Sequence, residues 1–243
     1  MEEKDILGSS EILEIEESSC LIKGGGGHMI ANIIKELKAH SPFTLFGAMT
    51  GVIFMMIFKR LPHDVSYNVF YVLHPAHVFL SAVVTTALYC QYASKTQKNR
   101  WTRFFKILAI GYVGSVGVGT LSDSLIPFFG EKLLEMHHAE VHIGFIEKWW
   151  IVNPLAFAGV LYGYFWHQTK YPHTLHVLLS TWASLFHMMM AQDSVSMESY
   201  FGVFIFLFLA VWLPCCFSDI VFPLMFIKDK DVLKKYSCTC GHS

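Results

Sequence analysis

"LHPAHVFLS", Leu73–Ser81, sets two histidines three residues apart in a stretch that is otherwise almost wholly apolar. Further on, His173 and the run "LHVLLS", Leu175–Ser180, repeat the same pattern, His-x2-His-Val-x-Leu-Ser. Two flanking features recur in the same order. Pro-x4-Gly-x3-Gly precedes each histidine pair, at Pro42, Gly47 and Gly51 and again at Pro154, Gly159 and Gly163. Ser-Asp-x3-Pro follows each pair, at Ser122, Asp123 and Pro127 and again at Ser218, Asp219 and Pro223. Three matches in register indicate a duplicated three-helix unit. An odd number of spans per unit sends the second copy into the membrane from the opposite side, an inverted repeat of the kind that recurs in transporters.

Composition supplies the membrane. Of 243 residues, 53% are hydrophobic and 15% charged, with 21 Phe, and the mean hydropathy is +0.44. A soluble domain carries about 25% charged residues, so this chain lacks the charge to cover a water-facing surface. Apolar runs cover 42–58, 66–92, 104–129, 151–167, 174–191 and 199–227, close to the roughly 20 residues a membrane helix needs. The expected fold is an all-α integral membrane protein of six transmembrane helices, arranged as two inverted three-helix repeats.

The domain reading follows. Residues 1–28, acidic and ending "GGGGH", read as a tag and linker or a disordered acidic tail. Residues 29–130 form the first repeat, 131–150 an external amphipathic linker, 151–227 the second repeat and 228–243 a cytoplasmic Cys/His tail. Residues 1–28 hold seven acids and two lysines, leaving 16 Lys+Arg against 12 Asp+Glu. Lys and Arg accumulate on the cytoplasmic side. With both termini cytoplasmic, twelve of the basic residues fall inside and four outside. Topology therefore accounts for the mild basic excess, and no nucleic-acid partner is called for.

The chemistry is expected in the repeated motifs. His74 and His77 are i and i+3 on a helix and share a face, as do His173 and His176. Ionisable residues inside a membrane are functional by default, although each imidazole also has the simpler use of tying helices together. Pro127 and Pro223 disrupt the preceding turn, which frees carbonyls near Ser122-Asp123 and Ser218-Asp219. The competing reading makes each Ser-Asp a helix end. Imidazole and carboxylate together suit a divalent transition metal: Zn, Mn, Fe or Ni ahead of Cu. The candidate ion path comprises His74, His77, Ser122, Asp123, His173, His176, Ser218 and Asp219.

Other features read more plainly. The glycines allow close helix approach, including homo-oligomer contacts through Gly-x3-Gly faces. The linker "EMHHAEVHIGFIEKWW" reads as an interfacial helix anchored by Trp149 and Trp150, with His138 and His142 spaced i, i+4 as a competing metal pair. "CTCGH" near the end, with Cys238, Cys240 and His242, is a weak thiolate site. Met55, Met56 and the "MMM" run after His187 are apolar filler before they are copper ligands. No phosphate-binding loop, nucleophile elbow or His-Glu-x2-His motif occurs.

The function expected is a secondary permease for a divalent transition-metal cation, its two halves rocking against each other with protons exchanged at the histidines and aspartates, rather than an enzyme. The alternatives are a membrane-bound histidine-box metalloenzyme acting on a lipid-like substrate, and a proton-coupled carrier of a small organic solute.

Overall fold

A computed structural model describes residues 25–58, 61–93, 100–166, 170–191 and 197–216, together with Phe222 and Phe226. It is 89% helical, with no strand among the described residues. The helices are α1 (Gly25–Ile57), α2 (His63–Ala93), α3 (Arg100–Thr120), α4 (Ile126–Leu133), α5 (Gly144–Glu147), α6 (Trp149–Phe165), α7 (Lys170–Met190) and α8 (Met197–Cys216). A π-helical turn, Leu121–Leu125, joins α3 to α4 without a break.

The first five apolar runs coincide with α1, α2, α3–α4, α6 and α7. The sixth is helical as far as Cys216, and most of its remainder lies outside the described residues. Two stretches, His63–Cys90 and Trp101–Leu133, are long and apolar enough to cross a membrane. The exterior is apolar: Trp101, Leu133, Ile57, Val72 and Phe201 are each more than two-thirds exposed. The interior holds His74, His77, Asp123, Glu131, His176 and His187, together with serines and threonines. Large exposed apolar faces over a buried polar set invert the pattern that is informative for a water-soluble protein.

Helix α2 lies at the centre, packed on α7, α6 and α3, while α1 packs on α7 and α8. The glycines make two of these crossings possible. A β-carbon on Gly159 would sit 2.4 Å from the Phe79 carbonyl oxygen, and one on Gly163 would sit 2.5 Å from that of Val83. Both glycines therefore lie directly against the backbone of α2. In the other crossing Gly47 rests on Thr181, and Gly51 on Leu185 and Leu207. The methionines behave as filler, since Met55, Met188, Met189 and Met190 belong to one apolar cluster.

The linker departs from the expected amphipathic helix. Helix α4 ends where Glu135 adopts φ 54°. There the Met136 N–H donates to the Glu131 carbonyl at 2.9 Å and the Glu135 N–H to that of Lys132 at 3.3 Å. This pair of bonds around a left-handed residue satisfies carbonyls that a helix end would otherwise leave open. The chain then turns back, and Leu134–Ile143 contains no helix. His138 and His142 consequently do not share a helical face. His137 and His138 are exposed, while His142 turns inward.

Steric contact with backbone cannot be relieved by a rotamer change. Gly159→Ala is expected to cost about 1–3 kcal/mol, the range for overpacking, and to lower the melting temperature of the protein in detergent. Gly117 has nothing within 4 Å of its would-be β-carbon. Gly117→Ala should leave the melting temperature unchanged or raise it, because Ala is the better helix former.

Candidate functional site

The placement of Asp123 begins with Pro127. The Ile126 N–H bonds to the Leu121 carbonyl, five residues back, so the Ser122 carbonyl loses its α-helical partner. Its π-helical partner would be Pro127, which has no N–H. The Ser184 hydroxyl on α7 comes within reach, its one proton shared between the Ser122 carbonyl at 3.0 Å and the Ser180 carbonyl of its own helix at 2.8 Å. The widened turn carries Ser122, Asp123 and Ser124 into the interior, each with 0% exposure. Pro127 thus loosens the preceding turn, as expected, but the Ser-Asp pair lies within a continuing helix and not at its end.

Four donors converge on the Asp123 carboxylate. Nδ1 of His74 lies 2.9 Å from Oδ2 and Nδ1 of His77 lies 2.7 Å from the same atom. Oδ1 accepts from the Ser122 and Ser180 hydroxyls, both at 2.7 Å. An ionised carboxylate only accepts and has about four lone-pair positions, so the protein fills them. Each imidazole must then carry its proton on Nδ1, which leaves the Nε2 lone pair of a neutral ring outward. His74 Nε2 and His77 Nε2 are buried and meet no hydrogen-bonding partner among the described residues. A carboxylate holding imidazoles by one nitrogen and aiming the other is the usual support behind metal-binding histidines. In this arrangement Asp123 orients the two imidazoles, and its own acceptor positions are filled by protein donors.

The two imidazoles face different surroundings. A β-carbon on Gly144 would lie 2.5 Å from His74 Nε2, so the α5 backbone covers that nitrogen. His77 instead lies parallel to His176 of α7, with ring centroids 5.7 Å apart and planes inclined by 13°. Donor atoms of His77, His176 and Cys215 all fall within 4.8 Å of one another.

The structure therefore brings together His74, His77, Ser122, Asp123 and His176 from the sequence-derived set. His173 lies in α7, but its side chain falls outside the described residues, as do Ser218, Asp219 and the Cys238–His242 tail. Sequence reasoning missed the contacts of Ser180 and Ser184 and the proximity of Cys215 to His77 and His176. Ser180 closes the repeated motif and carried a signal. Ser184 and Cys215 had none, because the residues they approach, Ser122 for Ser184 and His77 and His176 for Cys215, are distant in sequence.

A second buried pair was also missed. His187 Nδ1 lies 2.7 Å from Glu131 Oε1, both side chains 1% exposed. The Phe70 ring separates this pair from the first cluster, stacked on His74 at 5.2 Å and edge-on to His187 at 5.4 Å. On the other side the His142 ring is 5.5 Å from His187, with its Nδ1 3.2 Å from Glu147. Burial raises the pKa of Glu147, but the Tyr71 hydroxyl, His142 and the Ile143 N–H outweigh it and hold this carboxyl below its ordinary range. A separate apolar cavity of about 390 Å³, bordered by Phe54, Leu73, Trp182 and Phe186, has no titratable lining.

Removing donors from a buried carboxylate should be costly in graded fashion. Ser180→Ala is expected to destabilise the protein by about 1.5–3 kcal/mol, the range for a hydrogen bond to a charged group. Asp123→Asn sets an NH2 against existing donors and should cost about 3–5 kcal/mol, as when a buried ionic contact is broken. Reversible unfolding in mixed micelles checks the order. Histidine ¹⁵N spectra should show the Nδ1–H tautomer for His74 and His77, and should lose it in Asp123→Asn.

Compared with family models, with curated proteins and with solved structures, the chain matches none.

Proposed function

We propose that the chain is a membrane permease for a divalent transition-metal cation, with six spans in two inverted three-helix halves and both termini cytoplasmic. The observation that carries this reading is the buried cluster in which one carboxylate, Asp123, holds the imidazoles of His74 and His77 while Ser180 reaches it from the other half. Such a cluster spends stability to keep lone pairs in an apolar interior, and intramembrane ionisable groups of this kind mark ion pathways.

The helix crossings support the inverted repeat. Gly47 of the first half rests on Thr181, five residues beyond His176, and Gly159 of the second meets Ala82, five beyond His77. Gly51 rests on Leu185 and Gly163 against Thr86, each nine residues beyond the same histidines. In each half the first helix lies on the second helix of the other half at equivalent positions. That exchange is what a two-fold relation demands, and sites near a repeat interface are the habit of such transporters.

In this reading His77 and His176 handle the ion, and Asp123, Ser122 and Ser180 hold His74 and His77 in register. His173, Ser218 and Asp219 take the counterpart role in the second half by the repeat. The Glu131, His187 and His142 group forms the approach from the linker side, with Phe70 as the partition between it and His74.

The test is flux. Protein reconstituted into liposomes containing a chelating dye should admit Zn(II) or a similar transition-metal ion and exclude Na(I) and K(I). Asp123→Asn and His77→Gln should each lower the rate by about 10–100-fold, as expected when metal ligands or their supports are lost, in samples that remain monodisperse. Gly117→Ala should match the parent rate. Absence of metal flux in the parent protein, or full flux in both site variants, overturns the proposal.

A further inference from the structure

We infer that His77, His176 and Cys215 together form a Zn(II)-type binding site, two imidazoles and one thiolate contributed by α2, α7 and α8. The inference rests on the permease reading for its role, though the coordination chemistry can be tested by itself.

The donors come from three helices far apart in sequence, and all three residues are buried. One donor atom from each lies within 4.8 Å of the others. Ligands bound at 2.0–2.3 Å in tetrahedral geometry are separated by about 3.3–3.8 Å, so a modest inward movement closes the set. Proximity alone would describe ordinary packing, and Cys215 does pack with Val177 and Val211. The orientation of His77 adds an independent observation. Its Nδ1 is fixed on Asp123 at 2.7 Å, and its Nε2 is buried without a hydrogen-bonding partner among the described residues. A ring anchored at one nitrogen and bare at the other is poised to ligate.

The donor types select the ion. Thiolate with imidazole suits soft or borderline metals, whereas Mg, Ca and Mn prefer oxygen. Sequence reasoning, which assumed imidazole and carboxylate ligands, kept Mn and Fe among the candidates; the thiol moves the choice towards Zn. Charge argues the same way. Zn(II) beside one thiolate and the Asp123 carboxylate sums to zero, while Cu(I) there would leave a net negative charge in an apolar interior, where unbalanced charge is costly. As the Zn–S bond forms, the Cys215 thiol gives up its proton to solvent.

Co(II) reports on such a site because thiolate ligation gives a near-ultraviolet charge-transfer band. Titration of the purified full chain in detergent should show one Co(II) bound per protein with that band, displaced by Zn(II) and not by equal Mg(II) or Mn(II). Cys215→Ser should abolish the band and weaken binding about 10–100-fold. Replacing Cys20, Cys90, Cys216, Cys238 and Cys240 together by Ser should preserve it. X-ray absorption of the unmutated Zn-loaded protein should give one sulfur near ~2.3 Å and nitrogens near ~2.0 Å, independent of whether any variant folds. A parent protein without the band, or a band that survives Cys215→Ser, overturns the site. A Cys215-dependent band without metal flux in liposomes upholds the site and overturns the permease; flux without the band does the reverse.

Discussion

An ionised carboxylate in an apolar bundle costs several kcal/mol in lost hydration unless donors surround it, and the arrangement around Asp123 is that set of donors. Two come from α2, one from the π-helical turn and one from α7. No pair of these elements satisfies the carboxylate alone. The requirement therefore fixes the depth and rotation of α2, the α3–α4 span and α7 relative to one another. The turn is coupled to the same constraint. Pro127 leaves the Ser122 carbonyl without a backbone donor, and the Ser184 hydroxyl, one turn beyond Ser180 on α7, shares its proton between that carbonyl and the Ser180 carbonyl. Helix α7 thus meets both the carboxylate and the π-helical turn that presents it.

Helix contact in lipid gains little from hydrophobic burial, because lipid is as apolar as the side chains it would replace. Under the proposed membrane setting, close approach has to come from small residues, and the glycines of α1 and α6 provide it. On α6 the contact is backbone against backbone, with the Phe79 and Val83 carbonyls filling the space a β-carbon would take. Those residues follow His77 on α2, so the packing that seats α6 also stiffens the helix bearing the histidines. The greasy exterior and the polar interior are consequences of the same economy: the polar groups specify how the helices meet, and the surface need only match the solvent around it.

Much of this was legible in the sequence. Residue spacing put His74 and His77 on one face and linked them with Ser122-Asp123, and that grouping holds in the structure. The apolar runs located the helices, and the repeated glycines marked faces for close helix approach without naming the partner helix. What spacing could not carry was role. That all four acceptor positions of Asp123 are occupied depends on Ser180 arriving from another helix. Cys215 stands beside Cys216 in a featureless apolar run, and only three-dimensional packing sets it near His77 and His176. The linker failed for a local reason: Glu135 adopts a left-handed conformation rarely taken by a residue with a side chain, and nothing in the alternation of His, Glu and apolar residues announces that turn.

The shared carboxylate also separates two histidines that the sequence presents as equivalent. Both donate to the same oxygen, yet their outer nitrogens diverge. His74 is closed by the Gly144 backbone and by Phe70, beyond which lie His187, Glu131 and His142. The His77 ring lies parallel to that of His176, and a donor atom of each is within 4.8 Å of Cys215. Under the proposed function, Asp123 is accordingly the joint between an approach from the linker and a coordinating set shared by both halves. Any rotation of α7 against α2 would move Ser180 away from Oδ1 and alter the distance from His77 to His176 at once. A metal ion held by both of those histidines would resist that rotation, and its release would permit it. Coupling between coordination and the packing of the halves then needs no additional element, because α2 carries both His74 and His77 and α7 carries both Ser180 and His176.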